Sequence, residues 1–372
     1  MKNFLVIIAA CLALACGSDE ENTETGSAAD NFDRKALLVN VADNIIIPAY
    51  DALHKQTIVL NSATKKFLIN PDLATFDAYR EIWQSTYFSY QRVAFFDIGK
   101  TEAISYHNFM NVYPVSTADI ELNITTEKFD LGLASEQDEQ GFAALDYMLY
   151  GLDTTDEGII ARYTTDVNAS KYKAYLQTLV TRILDLTETV TLDWKNDYRV
   201  TFINNDGSSA TSSLNKLVND YLYYFEKQLR AGKIGIPAGV FSAGKTFPEK
   251  TEAFYNSSIS KELFLTSLKA VQDFYNGTYY DGSAQGESLS TYVTYLNTIK
   301  KDVDLNTIIN QQFDDARALT QKLDADFATQ IKTGNTDMLK TYDVLQKNVI
   351  TMKVDLLSAL SIKVDYVDAD GD

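Results

Sequence analysis

Residues 70–99 read NPDLATFDAYREIWQSTYFSYQRVAFFDIG. Within them Leu73, Phe76, Tyr79, Trp83, Tyr87, Tyr90, Val93 and Phe96 recur at steps of three and four. That is the period of one buried face of an α-helix, not the alternation of a strand. Asn70-Pro71-Asp72 supplies a start as cap, proline at the first helical position and acid in the first turn, and Gly99 supplies a stop. The same period returns at Met338, Tyr342, Leu345, Val349, Met352 and Leu356, after a Gly334-Asn335-Thr336 start. Between and around these two, further helices are expected at about 33–66, 135–150, 169–197, 212–231, 259–276, 286–301 and 305–331. The chain is therefore all-α, and its amphipathic faces imply helical bundles. Asn204-Asn205-Asp206-Gly207-Ser208-Ser209 is the strongest internal loop signal and divides the helical region into halves of about 31–204 and 210–365. Two long irregular stretches, 107–128 and 231–256, are the places where such a fold carries function.

The 372 residues are 45% apolar and 23% charged, enough for a large core. A net charge of −18 opposes polyanions, so no nucleic-acid partner is expected. Two histidines, His54 and His107, leave little for a His-rich zinc site or a Ser-His-Asp triad. A lone histidine is more often a packed or surface residue than a ligand. No phosphate-binding or dinucleotide-binding glycine pattern is present, and no His-Glu-x-x-His.

The N-terminus carries an address. Lys2 and the apolar run Phe4–Leu14 form a short export leader, too short to span a bilayer permanently. The run closes on Ala13-Leu14-Ala15-Cys16, which resembles a bacterial lipobox and makes Cys16 the expected lipidated residue, with Ile8-Ala9-Ala10-Cys11 the poorer alternative. Residues 1–15 are then the signal peptide and 16–30 an acidic tether. Gly17-Ser18-Asp19-Glu20-Glu21 resembles an acidic tag for the outer face of the outer membrane. The expected location is the outer membrane, lipid-anchored through Cys16, at the cell surface. No cysteine follows Cys16, so the exported domain is held by its core alone.

One segment carries chemistry. Ser135 and Asp138 approximate a capping box and Gly151 a C-cap, so Glu136–Tyr150 reads as one helix containing Gly141-Phe142-Ala143-Ala144-Leu145-Asp146-Tyr147-Met148-Leu149-Tyr150. This resembles the signature helix of the imelysin-like family, the imelysin peptidases, whose pattern is Gly-x-His-x-x-Glu followed by an aromatic or apolar run ending in Gly. Val112-Tyr113-Pro114-Val115-Ser116 resembles the family's loop before that helix. Lys233-Ile234-Gly235-Ile236-Pro237-Ala238-Gly239 and the stretch from Pro248-Glu249 through Glu252-Ala253-Phe254-Tyr255-Asn256-Ser257 resemble its second-half segment. The resemblance spans most of 33–365. It implies two packed helical bundles related by a pseudo-twofold with a cleft between them, and an envelope protein linked in other members to iron uptake or to metallopeptidase activity.

The departures matter as much. Ala143 stands at the family's His and Asp146 at its Glu. A His three positions before a carboxylate puts both on one helical face, within reach of a single ion. Here that face offers Glu139, Ala143, Asp146 and Tyr150, and Glu139 and Asp146 lie about 10 Å apart along the axis. Glu252 is a further acid from the second half, with helix-start capping as its plain alternative. Gly141 fits close helix packing, and Asp146 fits a structural acid hydrogen-bonded to a neighbouring element. The C-terminal 366–372 is an acidic tail in which Asp368, Asp370 and Asp372 resemble the front of a weak calcium loop lacking its final bidentate acid. Tyr221-Leu222-Tyr223-Tyr224-Phe225 and Tyr279-Tyr280 offer stacking surfaces for a sugar or haem, although tyrosines in bundles more often bridge core and surface.

The expected protein is a non-catalytic binding or accessory lipoprotein in iron or haem acquisition. Its partners are the membrane through the anchor, and iron, haem, another small ligand or an outer-membrane protein. A divalent metal such as Fe, Zn or Ca is the only cofactor the motif suggests. The alternatives are a metal-dependent peptidase with a carboxylate-only site and a structural or adhesive surface module.

Overall fold

The structure is a computed structural model that describes residues 30–300 and 304–366. The leader, Cys16, most of the tether and Asp368, Asp370 and Asp372 lie outside the described residues. Its principal helices are α1 (Arg34–Ile69), α2 (Leu73–Gln91), α3 (Thr117–Thr126), α4 (Gly141–Asp146), α5 (Asp156–Thr164), α6 (Ala169–Asp193), α7 (Ser213–Tyr223), α8 (Ser260–Tyr275), α9 (Leu289–Lys300), α10 (Leu305–Thr320) and α11 (Phe327–Ile350). Among the described residues there is no strand, only an isolated bridge between Thr278 and Gln285.

The predicted stripe is the core face of α2 as far as Tyr90, and its last two members follow the helix. Phe76, Tyr79, Trp83, Tyr87, Tyr90, Val93 and Phe96 are all buried, while Leu73 is exposed. The start differs from expectation. Asp72, not Asn70, is the N-cap, because its carboxylate accepts the Thr75 N–H while Thr75 Oγ1 accepts from the Asp72 N–H. The helix also stops at Gln91, well before Gly99.

Helix α1 contains Pro48, which lacks the N–H an α-helix needs and whose ring crowds the preceding turn. The chain widens into a π turn over Val41–Ile46, where the Ile47 N–H reaches back to the Ala42 carbonyl. The helix then runs on to Ile69 and packs lengthwise against α2 and α6. It is long and apolar enough to cross a membrane by composition, yet over half of its most apolar window (56%) is buried within the fold.

In the C-terminal part, α10, α11 and the π stretch Tyr224–Gly235 that prolongs α7 pack together, and α8 leans on α2. So α2 touches both groups of helices. The predicted C-terminal stripe Met338, Tyr342, Leu345, Val349, Met352 and Leu356 is buried. Its helix starts earlier than expected, at Phe327 after an Asp326 cap, and Gly334 is a kink inside it.

The motif segment departs most from expectation. Residues 134–151 are not one helix: a short 3-10 turn, Ala134–Glu139, is followed by extended Gln140, and α4 begins afresh at Gly141 before relaxing into a π turn over Tyr147–Gly151. Gly141 has φ +76°, and a Cβ on it would lie 2.2 Å from the Met110 carbonyl oxygen. It admits a close backbone approach and a left-handed start, which is a different role from a packing glycine inside a helix.

Candidate functional site

The break at Gln140 takes Glu139 off the face it was expected to share with Asp146. Glu139 is buried beside α3, where its carboxylate accepts a hydrogen bond from Asn123 Nδ2, and its carbonyl accepts one from Tyr175 Oη at 2.7 Å. Tyr150 does remain one turn beyond Asp146, but its ring is covered by the Arg80 guanidinium at 4.2 Å and by Trp83.

Asp146 is almost fully buried. One carboxylate oxygen accepts the Tyr255 backbone N–H at 2.8 Å and the other accepts the Asn256 N–H at 2.9 Å. Burial pushes its carboxyl up to about 7, the two N–H donors oppose that shift, and the charge of Glu252 adds to it. The carboxylate thus pins the loop before α8 onto α4. Beside it, Ala143, Asp146, Tyr113 and Tyr255 border a void of only about 20 Å³, room for roughly one water.

Glu252 comes from the same loop and is buried to 3% exposure. Its Oε1 accepts from Tyr87 Oη (3.1 Å), Gln91 Nε2 (3.0 Å) and Asn111 Nδ2 (2.7 Å), and its Oε2 meets the Lys233 ammonium in an ion pair. Lys233 is equally buried and also donates to Gln91 Oε1, which Ser267 Oγ caps at 2.7 Å. Burial drives the Lys233 amine below its ordinary value, and Glu252 opposes that shift. Sequence reasoning named Glu252 and missed Lys233. Its only signal was a lone cation within the small and apolar run from Ala231 to Gly239.

These donors do not suit the metal that the family motif implies. Ala143 offers no ligand, Asp146 is spent on two N–H groups, and Glu252 faces an ammonium. Among the described residues no group of three His, Cys, Asp or Glu side chains could hold an ion.

Above this network opens a cavity of about 620 Å³, within the range of small-molecule sites. Gln91, Asn111 and Lys233 form its floor, and one face of α7 and its π extension, from Asp220 through Tyr223, Tyr224, Lys227 and Gly232 to Ile236, forms a wall. Of the predicted aromatic run, Tyr223 and Tyr224 line the cavity, whereas Tyr221, Leu222 and Phe225 are buried core. Tyr280 is taken by Arg92, whose guanidinium lies 3.7 Å over its ring. His107 lines the cavity, with Nδ1 3.2 Å from Tyr90 Oη and Nε2 3.1 Å from the Phe96 carbonyl, so both nitrogens are engaged; burial lowers its pKa, and Asp97 and the Phe96 carbonyl oppose that shift. His54 lies on α1, 3.9 Å from Glu188.

The Imelysin family model matches residues 46–352 of the chain. No curated protein matches. Among solved structures, a chain provisionally described as an iron-regulated protein A precursor from Parabacteroides distasonis ATCC 8503 superposes with a TM-score of 0.72 at 15% identity, over 90% of this chain and 97% of that one. An imelysin-like protein from Psychrobacter arcticum 273-4 gives 0.64 at 19% identity, over 90% and 97%. At these identities the likeness is one of fold.

Proposed function

The chain belongs to the imelysin family, and from that premise we propose that it is a non-catalytic binding or accessory lipoprotein of the outer membrane, anchored through Cys16 at the cell surface and serving iron or haem acquisition. One observation carries the non-catalytic part: the carboxylates nearest the motif, Asp146 and Glu252, are both satisfied by protein donors, Glu252 by a buried ammonium. The buried Lys233 ammonium stands against Glu252, supplying there the positive charge that a metal would bring. The iron part draws on the similar fold of a protein described as iron-regulated. The anchor and location draw on residues 1–21 of the sequence.

The test is metal content and titration with Fe, Zn and Ca, with cleavage of an unfolded protein substrate run beside it. The expected result is no stoichiometric metal and no chelator-sensitive cleavage. Cleavage that disappears in Asp146→Ala would establish the peptidase instead. Lipid labelling lost in Cys16→Ser, with protease-accessible protein on intact cells, checks the anchor and its face.

A further inference from the structure

The cavity above the ion pair is charged at both ends. Asp220 and Ile236 stand at opposite ends of one helical wall, roughly 20 Å apart at about 1.5 Å per residue or slightly less. At the first end Asp97 and Asp220 face the cavity, and among the described residues neither carboxylate has a hydrogen bond or ion pair. Burial and the charges of Asp97, Glu102 and Asp365 push the Asp220 carboxyl up to about 8, against a smaller opposing effect of Lys216. A half-buried acid held against other acids is a local cost that an incoming cation would relieve. At the second end the loop 237–250 folds back, with the Phe247 N–H on the Pro237 carbonyl, and this brings Lys250 beside Ile236. The Lys250 ammonium lies 4.5 Å from the Phe247 ring centroid and has no carboxylate partner among the described residues. The exposed ring of Tyr223 stands one helical turn from Asp220, and the carboxamides of Asn108 and Gln228 also line the cavity, neither of them bonding another described side chain.

We propose that this cavity binds a linear organic zwitterion, its ammonium between Asp97 and Asp220 and its carboxylate at Lys250. Two side-chain reaches subtracted from roughly 20 Å leave about 10–12 Å between the ligand's charges. A hard divalent ion needs six or more oxygens, which two carboxylates beside an aromatic ring do not furnish, whereas an organic cation gains from that ring. Asn108 and Gln228 each offer a donor and an acceptor to polar groups along the ligand's middle. The proposal rests on reading the chain as a binding protein, since the ligand leaves unchanged.

The test titrates the full-length protein with 8-aminooctanoate, octylamine and octanoate. The zwitterion should bind about tenfold or more tighter than either single-ended analogue, the size of one charge-assisted contact. Asp220→Asn should abolish its advantage over octanoate, and Lys250→Met its advantage over octylamine, with thermal unfolding confirming that both variants fold. Equal affinities for all three probes, no binding, or variants that bind as wild type would overturn the proposal. Cleavage of protein substrates with the zwitterion still bound would overturn the non-catalytic reading alone; no zwitterion binding, with neither cleavage nor metal uptake, would overturn this site alone.

Discussion

The Lys233 ammonium and the Glu252 carboxylate form an ion pair in which both side chains are only 3% exposed, and Gln91 bonds to each of them. Two charges withdrawn from water repay their desolvation only when every remaining donor and acceptor is met. Tyr87 and Asn111 add donors to Glu252 from α2 and the loop after it, and Ser267 of α8 donates to the Gln91 oxygen that Lys233 also meets.

Breaking this pair from one side strands the other charge. Lys233→Met or Glu252→Gln should each destabilise the protein by about 3–5 kcal/mol. The double variant should lose clearly less than the sum, as read by a double-mutant cycle in urea. Additive losses would mean the two charges are not coupled.

Gly141→Ala places a methyl where the Met110 carbonyl already is and forces an L side chain to φ +76°. The expected loss is about 2–4 kcal/mol, combining backbone strain with overpacking. A thermal midpoint within a degree of wild type would show that the segment re-forms elsewhere.

Restoring the family's residues should not restore a metal. In Ala143→His with Asp146→Glu the added volume enters a void of about 20 Å³, and the expected outcome is a loss of about 1–3 kcal/mol from overpacking with no stoichiometric iron or zinc by elemental analysis. One bound ion per chain would show that the donor geometry survives beneath the substitutions.

Asp146 gives stability a defined pH slope. Its folded pKa, about 7, lies above the ordinary 3.8, so between these values the folded state holds a proton that the unfolded chain has released. The stabilisation from that proton is complete below about pH 4 and is lost as pH rises through 7. Asp146→Asn, which cannot accept both N–H bonds, should be weaker overall but flatter over that window. Parallel pH profiles from denaturant melts would refute the assignment.

The helical scaffold was legible because α2 and α11 keep one apolar face for several turns, and burial follows that period from Phe76 to Tyr90 and from Met338 to Val349, then on past each helix end. Local signals failed where a distant contact decides the backbone. Ser135, Asp138 and Gly151 describe one helix, yet the carbonyl of Met110 fixes a break at Gly141 that no nearby residue announces. The boundaries of α2 and α11 moved for a milder reason, since Asp72 and Asp326 each satisfy an N–H three residues on and outcompete the expected starts. Glu252 could be named from the resemblance alone. Its partner could not, because a lysine reads as surface until the fold shows what it faces.

The pin from Asp146 to the backbone of Tyr255 and Asn256 also makes a gauge. Loop amides ordinarily trade their hydrogens with solvent quickly, whereas these two point at a buried carboxylate across the seam between α4 and the loop before α8. Their deuterium uptake should be slow and should quicken only when that seam parts. Two adjacent amides would then time the opening of the molecule against any ligand, with no label added.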